Sequence, residues 1–560
     1  MSERTMPNIW GDGKLICFSG LDGETSWAHN LMGSASERPF GVILRLYPDV
    51  MLRFGGDLLT QGGDLVLGDA ADVHVDTTEG AGALRLAYAD RWRLVGEVTG
   101  GLSASLDGDW EGERRCVALA TRPMGGGTRW CVGLSPGSLD EARARAESGL
   151  GEDLDALIAA RAAFVSGLDT SDLQEPADEQ LYLKCAEVLK LNARAPEGRI
   201  HRRWTTPDVW PHRHMWLWDS AFHAIGWAEL DGGMAQDAIL AVIDQQEEDG
   251  KIHLCEAPEP QNQRHTQPPV LAWAAWRVFE RTGDRGFIEA CYEPLGRFID
   301  WLFRERDFNG NGLLEWLKEV QVERCRCGES GWDNSPRFDR EITDDHVDIN
   351  AMVVREMQML ANMAEVLGAD PQPWLQRAQA LADLVNGRLW HPGIGLYFDR
   401  GPGEDPAEWM TMKSAACFLP MIANLPDVEQ AARMVDHLTG PDSFWLPTPV
   451  PTVAADEPEY SDDMWRGPTW MNINYLIWEG LRNYGFDNIA DELRRRSMAA
   501  ISKWYYEGRG VFEYYDPMDV THPFWLHRKG GVGAEGGTGF GVIRDYGWTA
   551  ATYVSWAKAR

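Results

Sequence analysis

Basic residues are in short supply. Lys and Arg number 53 against 86 Asp and Glu, a formal charge of -33 over 560 residues. A surface that acidic repels phosphate backbones and anionic lipid, so nucleic acid and membrane are excluded as expected partners. Cysteine is sparse as well. The nine residues are scattered and odd in number, and the one C-x-C pair, Cys325 and Cys327, has no second pair at zinc-ligand spacing. All nine read as reduced thiols of a reducing compartment. No run of about 18 apolar residues occurs, so no membrane span is expected. Met1–Trp10 lacks a basic stretch leading into an apolar one, which removes a visible signal peptide and points to a cytoplasmic location.

Tyr and Phe are the minor aromatics, at 14 and 18 residues against 26 Trp. Trp offers a flat apolar face and one N–H donor, which suits the C–H faces and hydroxyl rims of sugar rings. Most of the 26 are expected to fill a large core. A few at loop and helix junctions are candidates for sugar contact.

The chain divides by period. Residues 1–165 read as a β-rich, sandwich-like domain. Apolar residues alternate at Val73 and Val75 and at Leu84, Leu86 and Tyr88, turn residues recur every ten positions or so, and Phe40–Leu46 and Trp92–Gly96 are short apolar strands. Leu139–Val165 turns helical and acidic, as a connecting helix or linker. Residues 166–560 are helical, with spans predicted at 181–192, 235–245, 269–282, 287–304, 346–367, 371–389, 427–439, 470–483, 489–508 and 547–558. Ten to twelve helices joined by long Gly/Pro/aromatic loops fit an (α/α)6 toroid, two concentric rings of six, and no short repeat suggests a solenoid. The fold class is mostly α.

Five segments could carry chemistry. Glu329–Arg337 holds two carboxylates, Trp332 and Arg337 in a Gly/Pro loop, where catalytic groups concentrate; helix caps and an Asx turn are the plainer account. Gly510–Pro517 sets Glu513 among aromatics, a setting that desolvates a carboxyl. His214–His223 combines Trp216, Trp218 and Asp219, and Asp219 could equally cap the helix that follows. Trp465–Tyr475 places Trp465, Arg466 and Trp470 at a helix mouth, with Pro468 suited to a first turn. Gly547–Ala550 opens the last helix with Trp548. Glycoside hydrolysis needs one protonated carboxyl at the leaving oxygen and one ionised carboxylate on the other face. Asp333 and Glu513 are the best candidates, and spacing alone does not pair them.

These segments, with Asp249–Ile252, Gln267-Pro268-Pro269 and Gly395–Asp399, stand in the order found in glycoside hydrolase family 63, which the chain resembles over residues 200–556. That family belongs to the trehalase-like (α/α)6 group with family 37. The glycerate-glycoside hydrolases look nearest, through Gln267-Pro268-Pro269 and Trp465-Arg466-Gly467-Pro468. The resemblance implies an inverting mechanism with Asp333 as general acid and Glu513 as general base. It implies a sugar subsite shaped by Trp216, Asp219, Gln267, Trp332, Arg337, Trp465, Arg466, Trp470 and Trp548, with a structural role as the alternative for Arg337. One departure is Met518–Tyr546, a long passage where the family has a short Gly-rich one. It is expected to close over the site as a lid or to stay unordered, and it contains Glu535, an alternative base, because trehalases place a Glu in such a loop.

No cofactor is required. Asp307, Asn309, Asn311 and Glu315 resemble a calcium loop, with oxygen side chains at alternate positions but Lys318 at the twelfth place; any ion there would be structural, and a polar turn is the alternative. The leading function is an α-glycosidase acting on a small α-glucoside or α-mannoside, a compatible-solute glycoside such as glucosylglycerate or mannosylglycerate or a short oligosaccharide. Arg264, Arg337 or Arg528 is the expected partner of a glycerate carboxylate. A sugar 2-epimerase using His212, His214, His223, His253 or His265, and a non-catalytic carbohydrate-binding protein, are the alternatives. No oligomeric state follows from the sequence.

Overall fold

Strands come first and helices follow. The computed structural model describes residues 6–46, 48–112, 115–261, 263–319, 321–322, 324–340, 344–403, 405, 408–532 and 541–559. Up to Ser135 the chain forms two antiparallel sheets, one of five strands and one of seven. The alternation seen in the sequence sets their facing sides. Val42 and Leu44 of one sheet and Val73, Val75, Leu84, Leu86 and Tyr88 of the other share one buried core, closed by Phe54 and Trp130. The expected linker is a pair of helices, α1 (Leu139–Gly149) and α2 (Leu154–Gly167), started by side-chain caps from Ser138 and Asp153. Both lie on the seven-stranded sheet, where Ala146 and Leu150 cover Val95, Ala120 and Cys131. The expected boundary at 165 falls within α2.

Eleven further helices follow: α3 (Glu179–Asn192), α4 (Leu217–Trp227), α5 (Gly232–Ile243), α6 (Leu271–Thr282), α7 (Arg285–Glu305), α8 (Val347–Leu367), α9 (Gln372–Arg388), α10 (Val428–Leu438), α11 (Met471–Asn483), α12 (Asp487–Gly508) and α13 (Gly547–Lys558). A 3₁₀ segment, Ala415–Ala423, completes the set. Pro420 within it removes one N–H and crowds the turn before it, which disfavours an α-helix there. Contacts close an inner ring in the order α4, α6, α8, the 3₁₀ segment, α11, α13 and back to α4. The remaining helices pack outside, which gives the (α/α)6 toroid. Among the described residues no helix is long and apolar enough to cross a membrane.

The two rings start differently. Outer helices α3, α5, α7 and α10 carry Asp N-caps. Inner helices α4, α6, α8, α11 and α13 have no side-chain cap of their own. Their free N–H groups take acceptors from elsewhere. Gln267 Oε1 accepts from Trp218 N at 3.2 Å, Glu356 from Ala272 and Trp273 at 2.6 and 2.8 Å, and Asp399 from Val347 N at 2.9 Å. Buried acceptors from several elements thus fix one end of the inner ring.

The sheets are tied to the toroid by buried charge. Lys184 of α3 pairs with Glu187 at 2.8 Å and with Asp545 at 2.9 Å, and Asp545 also accepts from Leu15 N at 3.2 Å. Lys14 reaches Glu187 at 3.7 Å. Burial pushes the Asp545 carboxyl up, but Lys184 and Lys14 outweigh it and hold the group below the usual aspartate range. A depressed carboxylate stabilises the fold above its unfolded value and loses that contribution as pH falls through its folded value. Asp545→Asn leaves Glu187 as the one carboxylate between the buried ammonium groups of Lys184 and Lys14 and is expected to cost about 3–5 kcal/mol in urea unfolding. It should also flatten the acid side of the stability profile below about pH 4, where the unfolded aspartate takes up its proton. A variant as stable as wild type, with the same acid limb, would show that the network carries no net energy.

Candidate active site

The uncapped ends of three inner helices border a cavity of about 230 Å³. Aromatic residues enter it at or beside these helix starts: Trp216 and Trp218 at α4, Trp470 at α11, Tyr546 and Trp548 at α13. Trp465 and Trp470 stack face to face, with centroids 3.6 Å apart. Most tryptophans of the wall are barely open to solvent, Trp218 at 2%, Trp465 at 1% and Trp548 at 3%, while Trp216 is half-buried. The cavity therefore sets apolar ring faces beside a cluster of polar groups, Asp219, Gln267, Asp333, Glu513, Arg528 and Lys529.

Asp333 reaches this cavity from a loop fixed at both ends. At the front, Glu329 is fully buried. It pairs with Arg306 at 2.6 Å and accepts from Thr266 N and Leu317 N at 2.9 and 2.8 Å. At the back, Arg337 holds two carboxylates, Asp348 at 2.7 and 3.0 Å and Asp399 at 2.8 and 2.9 Å. Between them Gly331 takes φ 74°, and a Cβ there would stand 2.5 Å from the Trp218 ring, so only glycine fits. Asp333 Oδ2 accepts from Lys529 Nζ at 2.5 Å. Cys325 is hydrogen-bonded to Asp333, and its thiol is pushed up to about 12 by burial first and by that carboxylate second.

Glu513 enters the same cavity from the extended segment after α12. Its backbone N–H donates to Ile543 O at 2.9 Å and its carbonyl accepts from Trp548 Nε1 at 3.2 Å. The carboxylate is 2% exposed. It is gripped by Arg528, Nε to Oε2 at 3.1 Å and Nη2 to Oε1 at 3.2 Å. Arg528 Nη2 also donates to His212 Nε2 at 3.3 Å, and His212 Nδ1 stands 2.5 Å from Asp208 Oδ2. An accepting Nε2 leaves the ring proton on Nδ1, so Asp208 fixes the tautomer of a neutral His212. This chain, Asp208–His212–Arg528–Glu513, locks the base candidate in place while leaving carboxylate lone pairs for a water. Asp219 is the third acid of the cavity. Burial, then the charges of Asp208 and Glu513, push it well above the usual aspartate range.

Of the expected site residues, the cavity gathers Asp333, Glu513, Trp216, Asp219, Gln267, Trp465, Trp470 and Trp548. Trp332, Arg337 and Arg466 stand outside its lining. Trp332 is fully buried behind Trp465, rings 5.1 Å apart, beneath the Arg337 guanidinium. Arg337 is 2% exposed and spent on Asp348 and Asp399. Arg466 braces the Asp333 loop from outside, donating to Asn334 O at 3.1 Å and pairing with Asp339 at 3.0 Å. All three pack against or brace the Asp333 loop from outside the cavity lining. Lys529, Tyr546 and Met464 also line the cavity and were not picked out by sequence. Glu535 lies outside the described residues. Arg264 is exposed and Arg528 is committed to Glu513, so neither stands as a free carboxylate partner. Of the five histidines weighed for epimerisation only His212 lines the cavity. His223 is buried behind it, lowered to about 3 by burial, and His253 is held between Glu247 and Glu256.

The 307–315 loop is built largely as a turn. Asn309 and Asn311 each accept a backbone N–H two residues on, at 2.9 and 2.8 Å, and turn their amides to Asp345. Their side-chain oxygens are thus in use, contrary to the alternating ligand pattern. Asp307 Oδ1 and Glu315 Oε1 are buried with no hydrogen-bond partner among the described residues, and Glu315 is raised to about 7, by burial first. Among the described residues no group of three or more His, Cys, Asp or Glu stands at metal-binding spacing.

Residues 212–549 match the mannosylglycerate hydrolase MGH1-like glycoside hydrolase domain. The chain is similar to the mannosylglycerate hydrolase of Thermus thermophilus, 26% identical over 464 residues that span 67% of this chain and 100% of that protein. The mannosylglycerate hydrolase of Rubrobacter radiotolerans is 27% identical over 403 residues, 56% of this chain and 87% of the other. In structure, a family 63 mannosylglycerate hydrolase of Thermus thermophilus in complex with glucose superposes with a TM-score of 0.53 at 26% identity, covering 67% of this chain and 99% of that one. A bacterial glucoamylase complexed with acarbose gives 0.63 at 12% identity over 99% of this chain and 95% of its own, a likeness of fold that takes in the sheets as well as the toroid. The chain belongs to the MGH1-like glycoside hydrolases of family 63.

Proposed function

We propose that the protein is an inverting α-glycosidase for a small α-mannoside or α-glucoside of glycerate, with Asp333 as general acid and Glu513 as general base. The observation that carries this reading is the meeting of Asp333 and Glu513, distant in sequence, in one cavity walled by Trp216, Trp218, Trp465, Trp470 and Trp548. At about 230 Å³ the space equals that of roughly eight waters at ~30 Å³ each, which favours a small glycoside over a polymer. Indole faces bind the apolar sides of the ring, while Asp219, Gln267 and Tyr546 meet its hydroxyls. Glu513, oriented by Arg528, draws the proton from a water on one side. Asp333 gives a proton to the leaving oxygen on the other. The names of the relatives favour a glycerate aglycone.

Mannosylglycerate and glucosylglycerate are the substrates to assay. Asp333→Asn and Glu513→Gln are each expected to lower kcat by about 10²–10⁴-fold while calorimetry still detects sugar binding, and Glu535→Gln is expected to keep wild-type turnover. Wild-type rates from Asp333→Asn, or loss with Glu535→Gln but not with Glu513→Gln, would overturn the assignment.

We infer in addition that the buried charge of Asp307 and Glu315 is relieved by a hard cation in a structural role. Calcium is expected to raise the Tm of wild type and not that of Glu315→Gln. Identical melting with calcium and with a chelator would show that a proton serves instead.

A further inference from the structure

The two acids of the cavity are neutralised by consecutive cations, Arg528 on Glu513 and Lys529 on Asp333. The arrangement suits the two roles unequally. A general base works ionised, so the two-pronged grip of Arg528 agrees with its task. A general acid must deliver a proton, and a carboxylate accepting a charge-assisted hydrogen bond at 2.5 Å is not holding one. The pair is therefore a resting state, and turnover requires Lys529 to leave Asp333.

The turn that carries Lys529 lets the side chain swing while the backbone stays. Lys529 has φ 53° and Gly530 φ 81°. Arg528 N donates to Gly531 O at 2.7 Å, and Gly530 N donates to Asp463 Oδ2 at 3.0 Å. The ammonium has three donors on a flexible stem. Of the other basic groups in the cavity wall, Arg528 is engaged by Glu513 and His212 by Asp208 and Arg528. Lys529 is the wall cation whose partner must be given up for the reaction. The leaving oxygen has to face Asp333, so the aglycone sits beside Asp333 and hence beside Lys529.

Resting on the reading of the protein as a glycosidase for glycerate glycosides, we propose that Lys529 selects for an anionic aglycone and gates the general acid: an aglycone carboxylate takes over the ammonium, and the freed Asp333 takes up from solvent the proton it will deliver to the leaving oxygen. One carboxylate replaces another on Lys529, so the exchange leaves the net charge of that pair unchanged. Specificity and activation become one event, because a substrate without the negative charge leaves Asp333 tied.

The test compares wild type with Lys529→Met and Lys529→Gln on two substrates, α-mannosylglycerate and the neutral α-mannosylglycerol, with circular dichroism and Tm to confirm folding. Wild type is expected to favour the carboxylate substrate by roughly 10- to 100-fold in kcat/KM, the range for a hydrogen bond to a charged group. Both variants are expected to bring that ratio towards one. On the neutral substrate the alkaline limb of their kcat/KM profile should move to higher pH, because no ammonium competes with the proton on Asp333. A purely structural Lys529 would lower both substrates equally and leave the limb in place, which overturns the inference. Wild type that cleaves both α-mannosides without preference overturns it too, and leaves the glycosidase reading intact. Wild type that cleaves neither overturns the substrate reading and the inference together.

Discussion

Carboxylates brought together in a largely buried cavity need partners, and the arrangement of charge around Asp333 and Glu513 follows from that need. Burying an unpaired carboxylate costs several kcal/mol. Here two neighbouring residues, Arg528 and Lys529, meet both acids from one turn. A single segment thereby supplies the cation paired with each acid. Its hold is firm on the base, which has two hydrogen bonds from a guanidinium, and looser on the acid, which has one ammonium.

The toroid supplies what this charge arrangement requires. Inner helices that lack caps expose N–H groups at one end of the ring, and buried acceptors drawn from several elements satisfy them. The Asp333 loop is stretched between two Arg–carboxylate clusters, Arg306–Glu329 and Asp348–Arg337–Asp399. Such clusters add specificity of geometry at little net gain in stability, which fits a loop whose apex must be placed to a fraction of an ångström. The stack of Trp332, Trp465 and Trp470 then turns that loop into one wall of the cavity.

Much of this was legible before the coordinates. Alternation at Val73, Val75, Leu84, Leu86 and Tyr88 gave inward-facing strands, and nearly every outer helix has a Cβ pattern with one apolar side. The 3₁₀ segment 415–423 escaped that reading because every one of its residues is apolar and buried, and an element apolar all round has no amphipathic period. Asp333 and Glu513 could be singled out from their loops and from family likeness. Neighbours in sequence misled at Trp332 and Arg337. Adjacent residues of one loop point to opposite sides, and proximity to Asp333 does not tell cavity from core. Lys529 was invisible for another reason. It lies in a Gly-rich passage that looks like surface loop, and its partner is far away in the chain. Asn309 and Asn311 had oxygens at ligand spacing, but Asx turns compete for the same oxygens.

The central claim is that Asp333 and Glu513 act from opposite sides of the sugar, one on the leaving oxygen and one on water. The anomer first released from α-mannosylglycerate, followed by proton NMR before mutarotation, tests it directly. The account predicts β-mannose at early times. Early release of α-mannose, the retained configuration, would contradict it.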